Sequence, residues 1–86
     1  MISSNSELYD AVDALSKALH DAGQQQWSVS LKDAMSISSV PGEILGEIRL
    51  ELEKLRETGL PDRLGLTPQV SEALAYLEQI LGPIYH

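Results

Sequence analysis

A chain of 86 residues is long enough for one domain with a modest core and too short for two. It contains no cysteine, which excludes a disulfide scaffold, Cys-ligated zinc and thiol catalysis. Thirteen acidic residues against six basic ones give a net charge of −7, which opposes binding to nucleic acid or to anionic membranes, because both rest on Lys and Arg.

The opening Met1-Ile2-Ser3-Ser4-Asn5 lacks a basic stretch followed by an apolar run, so no signal peptide is visible. No apolar run approaches the roughly 20 residues that span a bilayer. The expectation is a soluble, cytoplasmic protein.

Four helices are predicted, over about 5–22, 24–37, 41–58 and 68–81, with a tail at 82–86. In the first, Ser4 and Glu7 stand at capping-box spacing. Leu8, Val12, Leu15, Leu19 and Ala22 then recur at steps of three and four and draw one apolar stripe. Gly23 follows, suited to the left-handed turn that ends helices.

The second helix is shorter. Trp27, Leu31 and Ala34 or Met35 supply its apolar face, and Trp27 is read as a core residue. Several serines lower its helicity, because their hydroxyls compete for backbone groups. Val29 and Ile37 have strand propensity, but a lone strand would find no partner elsewhere in this chain.

Ser39 is the expected N-cap of the third helix, with Pro41 tolerated in the first turn. Ile44, Leu45, Ile48, Leu52 and Leu55 form its buried stripe. Leu50 lies off that stripe and marks a second contact surface. Gly46 weakens a helix interior by about 1 kcal/mol relative to Ala, which a close helix crossing would explain. Gly59 and Pro61 end this helix, and residues 60–66 read as a loop whose three leucines pack on the bundle. Thr67-Pro68 repeats the cap-then-proline signal, and Val70, Ala73, Leu74, Leu77, Ile80 and Leu81 line the last helix. The short connections favour antiparallel neighbours. The fold class is therefore all-α, a small four-helix bundle or a more open helical array.

The residues offer little chemistry. His20 and Asp21 are sequence neighbours and do not face each other across a helix turn, so a catalytic dyad is not expected. His86 is terminal. No serine has a histidine partner. Glu43, Glu47 and Glu51, four residues apart, resemble one edge of a di-metal carboxylate site, but the Glu-x-x-His pairs that such a site needs are missing. No calcium loop or phosphate loop is present. No enzyme activity, cofactor or metal is expected. The three glutamates read instead as an acidic helix face, partly balanced by Arg49, Lys54 and Arg56, on which a basic protein could land. Tyr9 and Tyr76 lie beside apolar stripes, at the boundary where interface residues collect.

Residues 8–66, with Leu15, Leu19, Ala22-Gly23, Trp27 and Leu31 at their heart, are similar to small bacterial all-helical domains, some of them found among polymorphic-toxin immunity proteins. The stretch Thr58-Gly59-Leu60-Pro61-Asp62-Arg63-Leu64 departs from the glycine-rich loop of those domains, so no functional residue is carried over. Together with the net charge, the acidic helix face and the absence of catalytic groups, the resemblance leads to the expectation of an inhibitor of the immunity or antitoxin kind that covers a basic partner. The charge and the boundary position, and not the resemblance, give Glu43, Glu47, Glu51 and Tyr9 as the expected contact residues. The competing expectation is a structural or adaptor domain that self-associates through an apolar face bearing Leu50 and the leucines of 60–66. A pocket for a small ligand is the third reading, and nothing in the sequence shapes one.

Overall fold

The computed structural model describes residues 2–82. The expected tail beyond Gly82, with Tyr85 and His86, lies outside the described residues. Among the described residues five helices follow one another: α1 (Asn5–Asp21), α2 (Gln25–Ser36), α3 (Pro41–Glu57), α4 (Leu60–Leu64) and α5 (Thr67–Leu81). The protein is all-α. Among the described residues no helix is long and apolar enough to cross a membrane.

The start of α1 follows from two short side chains. Ser4 has an extended backbone, and its Oγ accepts the Glu7 N–H at 3.1 Å. The return bond of the box lands one residue early. The Glu7 carboxylate accepts from the Ser3 hydroxyl at 2.8 Å and the Ser3 N–H at 3.3 Å. At the other end Gly23 takes φ 81°, so that Gly23 N–H reaches the His20 carbonyl and Gln24 N–H reaches the Leu19 carbonyl. This Schellman closure satisfies two orphan carbonyls. Ala22 falls within the turn and is exposed, off the stripe on which its spacing placed it.

Two expected caps are corrected. Val40, not Ser39, is the N-cap of α3, and Ser38 Oγ accepts the Val40 N–H at 3.0 Å. Pro41 in the first turn has no N–H to satisfy and a φ already suited to the helix, so α3 starts without a hydroxyl cap. Leu66, not Thr67, precedes α5, and the Thr67 hydroxyl donates to Asp62 Oδ1. That bond ties α5 to the segment before it.

That segment, 60–66, is not an irregular loop. Gly59 and Gly65 hold left-handed backbone at φ 74° and 71°, and between them Leu60–Leu64 closes one helical turn. Leu66 N–H reaches the Pro61 carbonyl at 2.7 Å to shut it. Gly59 ends α3 as expected, but Pro61 does not prevent helix from resuming, because its fixed φ suits the first turn of α4. Leu60 is buried, and Leu64 and Leu66 pack against the core.

The four long helices form a closed ring. α1 packs on α2, α2 on α3, α3 on α5 and α5 back on α1, with α4 bridging α3 and α5. The radius of gyration, 11.9 Å, matches the roughly 12 Å of a compact domain of this length. The arrangement is thus a compact bundle and not an open array. Its core is Leu8, Val12, Leu15 and Leu19 of α1, Leu31 and Ala34 of α2, Leu45, Ile48, Leu52 and Leu55 of α3, and Val70, Ala73, Leu74 and Leu77 of α5. Trp27, Met35 and Ile44 are only half-buried and lean on that core from its edge. Ile80 and Leu81 continue the α5 stripe past the end of the core and are exposed at 42% and 37%.

Among the described residues one side-chain polar contact is fully buried. Ser16 and Ser28 are buried where α1 meets α2, and their hydroxyl oxygens are 2.8 Å apart. Ser16 Oγ donates to the Ser28 carbonyl at 2.9 Å, so its single proton is spent. The Ser28 hydroxyl therefore donates to Ser16. Both groups are satisfied, and two small side chains let the helices approach closely.

Gly46 is not explained by a crossing. A Cβ built there would meet nothing within 4 Å, and the residue is exposed on the outer side of α3.

Two stability predictions follow from these contacts. Ser16→Ala should cost about 1–2 kcal/mol, because it strands the Ser28 hydroxyl. Adding Ser28→Ala to that variant should cost less than Ser28→Ala alone, a coupling measurable by urea denaturation of the four proteins of the cycle. Gly46→Ala should raise stability by about 0.5–1 kcal/mol, read as a higher urea midpoint at an unchanged slope.

Candidate partner-binding surface

The three glutamates do not share one face equally. A helix turns about 100° per residue, so a step of four overshoots a full turn by about 40°. The line Glu43, Glu47, Glu51 therefore winds around α3. Glu43 is exposed, Glu47 is half-buried, and Glu51 has reached the groove against α2. There Glu51 adjoins Gln26, Trp27 and Ser30, and Lys54 Nζ stands 3.5 Å from its Oε1. Of the three, Glu51 is the one already engaged within the molecule.

Arg49 and Arg56 do not balance this line. Arg49 lies on the opposite flank of α3, where Nη1 donates to the Gly82 carbonyl at 2.6 Å and so caps the end of α5. Arg56 borders a recess with Pro61, Asp62 and Thr67. Lys54 alone among the three pairs with a glutamate of α3. Among the described residues Glu43, Glu47, Glu53 and Glu57 have no ion-pair partner.

Tyr9 stands apart from the glutamates. It is half-buried on α1, against the core, and α1 and α3 are diagonal members of the ring with α2 and α5 between them. The fold does not bring Tyr9 and the α3 carboxylates together. Tyr76 has a structural task, since its hydroxyl donates to Asn5 Oδ1 at 2.5 Å and ties α5 to the first residue of α1.

Sequence reasoning passed over two members of the outer face. Leu50 is 45% exposed and points away from the core. Residues three, four and seven positions either side of it share its face, and these are Glu47, Glu53, Gly46, Lys54, Glu43 and Glu57. Gly46, one turn before Leu50, completes the surface. Counting outward from Leu50, and not along a run of four-residue steps, would have found Glu53 and Glu57.

The remaining surface offers less. Among the described residues no group of three His, Asp or Glu side chains could hold a metal ion. His20 is exposed at the last turn of α1. A recess of 160 Å³ between α1 and α5, floored by Ala11, Ala14, Ala18 and Leu66, is open and smaller than the roughly 300–1,000 Å³ of ligand pockets.

No protein-family model, curated protein or solved structure matches this chain.

Proposed function

We propose that this protein is an acidic helical binding module that covers a basic surface of another protein and does not itself catalyse a reaction. An inhibitor of the immunity or antitoxin kind, acting in the cytoplasm, is the most specific form of this reading. The observation that carries it is the run of carboxylates on α3 that have no ion-pair partner among the described residues, in a chain of net charge −7. Like charges at helical neighbours destabilise a helix by a few tenths of a kcal/mol each. A basic partner removes that repulsion, and the same field speeds its approach.

A self-associating adaptor is the second reading. Val29, Ile37, Val40 and Leu50 are 45–57% exposed, which supports an apolar contact between copies. The leucines of 60–66 give this reading no help, because Leu60 is buried and Leu64 and Leu66 lean on the core.

Salt separates the two, since ionic contacts weaken as the Debye length falls and apolar ones do not. The test is affinity capture from a lysate of the source organism, washed at low and at high salt. Capture of one basic protein at low salt, depleted at high salt and weakened by Glu43→Gln/Glu47→Gln/Glu51→Gln at unchanged helicity, is the expected result. Recovery of this chain alone at both salt levels would favour the adaptor.

A further inference from the structure

The outer face of α3 has features that neither stability nor solubility requires. Leu50, 45% exposed, is its centre, and Gly46 lies one turn before it with open space above its backbone. Glu43, Glu47, Glu53 and Glu57 surround the two, and the one cation among the described residues of this face, Lys54, lies a turn after Leu50 and is held toward Glu51 at 3.5 Å. A solvated helix face is normally polar and built of good helix formers, and this one instead holds a glycine, which is a poor one, and a large apolar side chain. Among the described residues nothing accounts for the glycine, because no neighbour comes within 4 Å of a Cβ placed there.

We propose that this face docks a basic amphipathic helix of a partner protein, whose apolar stripe packs on Leu50 and along the dip at Gly46 while its flanking Lys and Arg side chains meet the four glutamates. The proposal rests on the reading of the protein as a binder of basic partners, and adds where the partner sits and what it presents. The physical fit has three parts. A missing side chain at Gly46 lets a second helix axis come within the 8–10 Å at which helices interlock. The leucine supplies an apolar anchor at the middle of the contact, where such anchors contribute most. The carboxylates stand three and seven residues from that anchor, so they flank it on both sides, where the cations of an amphipathic helix would lie. A second copy of this chain fits badly. It would set four glutamates against four, with one Lys54 on each side to offset them.

The test uses the intact isotope-labelled protein and a synthetic amphipathic Leu/Lys helix of about 18 residues, roughly five turns. Amide shifts are followed at an ionic strength of about 0.01 M, where screening is weak. The largest shifts should fall within residues 43–57. Glu47→Gln/Glu53→Gln should lower affinity about threefold to tenfold, and Asp10→Asn/Asp13→Asn, which removes as much charge from α1, should change it less than about twofold. Leu50→Ser should lower affinity about fivefold with no change in charge. Gly46→Gln separates docking from stability, since it should make the protein harder to unfold and yet bind the peptide about tenfold more weakly.

Shifts spread evenly over all acidic segments, with the α1 and α3 charge variants equally impaired, would overturn the α3 face and leave the basic-partner reading standing. Binding indifferent to Leu50→Ser and Gly46→Gln would also overturn it. Absence of any binding to the Lys peptide would overturn it too, and the lysate capture then judges the broader reading on its own.

Discussion

The packing of α1 on α2 is the most extensive helix contact in this fold, and its register is set by a pair of buried serines. Two hydroxyls in an apolar interior are tolerated only if each finds a partner, since an unsatisfied one costs about 1–3 kcal/mol. Here Ser16 gives its proton to the Ser28 carbonyl and receives one from the Ser28 hydroxyl. Sliding α1 by one turn along α2 would break both bonds and leave both groups dry. The leucine stripe alone does not impose that penalty, because one leucine can replace another in a neighbouring hole at small cost. With this register fixed, Leu8 to Leu19 line the ring from one side, and α5 closes against the same helix.

The apolar periodicities carried most of the architecture because burial follows them directly. Leu8, Val12, Leu15 and Leu19, then Leu45, Ile48, Leu52 and Leu55, then Val70, Ala73, Leu74 and Leu77 are all buried as their spacing predicts. What the spacing could not show is where each stripe runs out. Ala22 lies in a turn, and Ile80 and Leu81 lie past the last core layer that the described residues form. The buried serines escaped for a related reason. In a serine-rich helix such as α2, a composition argument treats every hydroxyl as a helix weakener. Only the meeting of Ser28 with Ser16 across the interface makes one of them structural. The turn over Leu60–Leu64 was hidden because two glycines and a proline in seven residues read as a loop, whereas they frame a single helical turn.

The candidate site was legible in kind and blurred in place. Four-residue spacing picks out a line of glutamates, but a line is not a face, and over two steps of four it drifts by about 80°. That drift carries Glu51 into the groove beside Trp27, where Lys54 meets it, while Glu43 stays in solvent. Tyr9 was placed by its position beside a stripe, and position along one helix says nothing about which other helix lies near it. In a ring of four, α1 and α3 are the pair kept apart.

The closure of the ring and the exposed charge are two results of one allocation. The last carbonyls of α5 have no partners within their own helix, and a cation at that end is favoured by the helix dipole. Arg49 supplies it from the flank of α3 that faces α5. Arg56 lies toward α4 and α5 as well, beside Asp62 and Thr67. Both arginines of α3 lie toward the side that holds the bundle together, with Glu53 between them, while Glu43 and Glu47 lie away from it. Moving Arg49 around the helix to neutralise the glutamates would leave the Gly82 carbonyl without its donor and loosen the end of the helix that completes the ring. The segregation of charge on α3 is thus tied to how the fold shuts, since Arg49 is held at the end of α5 and cannot also neutralise Glu43 and Glu47 on the other flank.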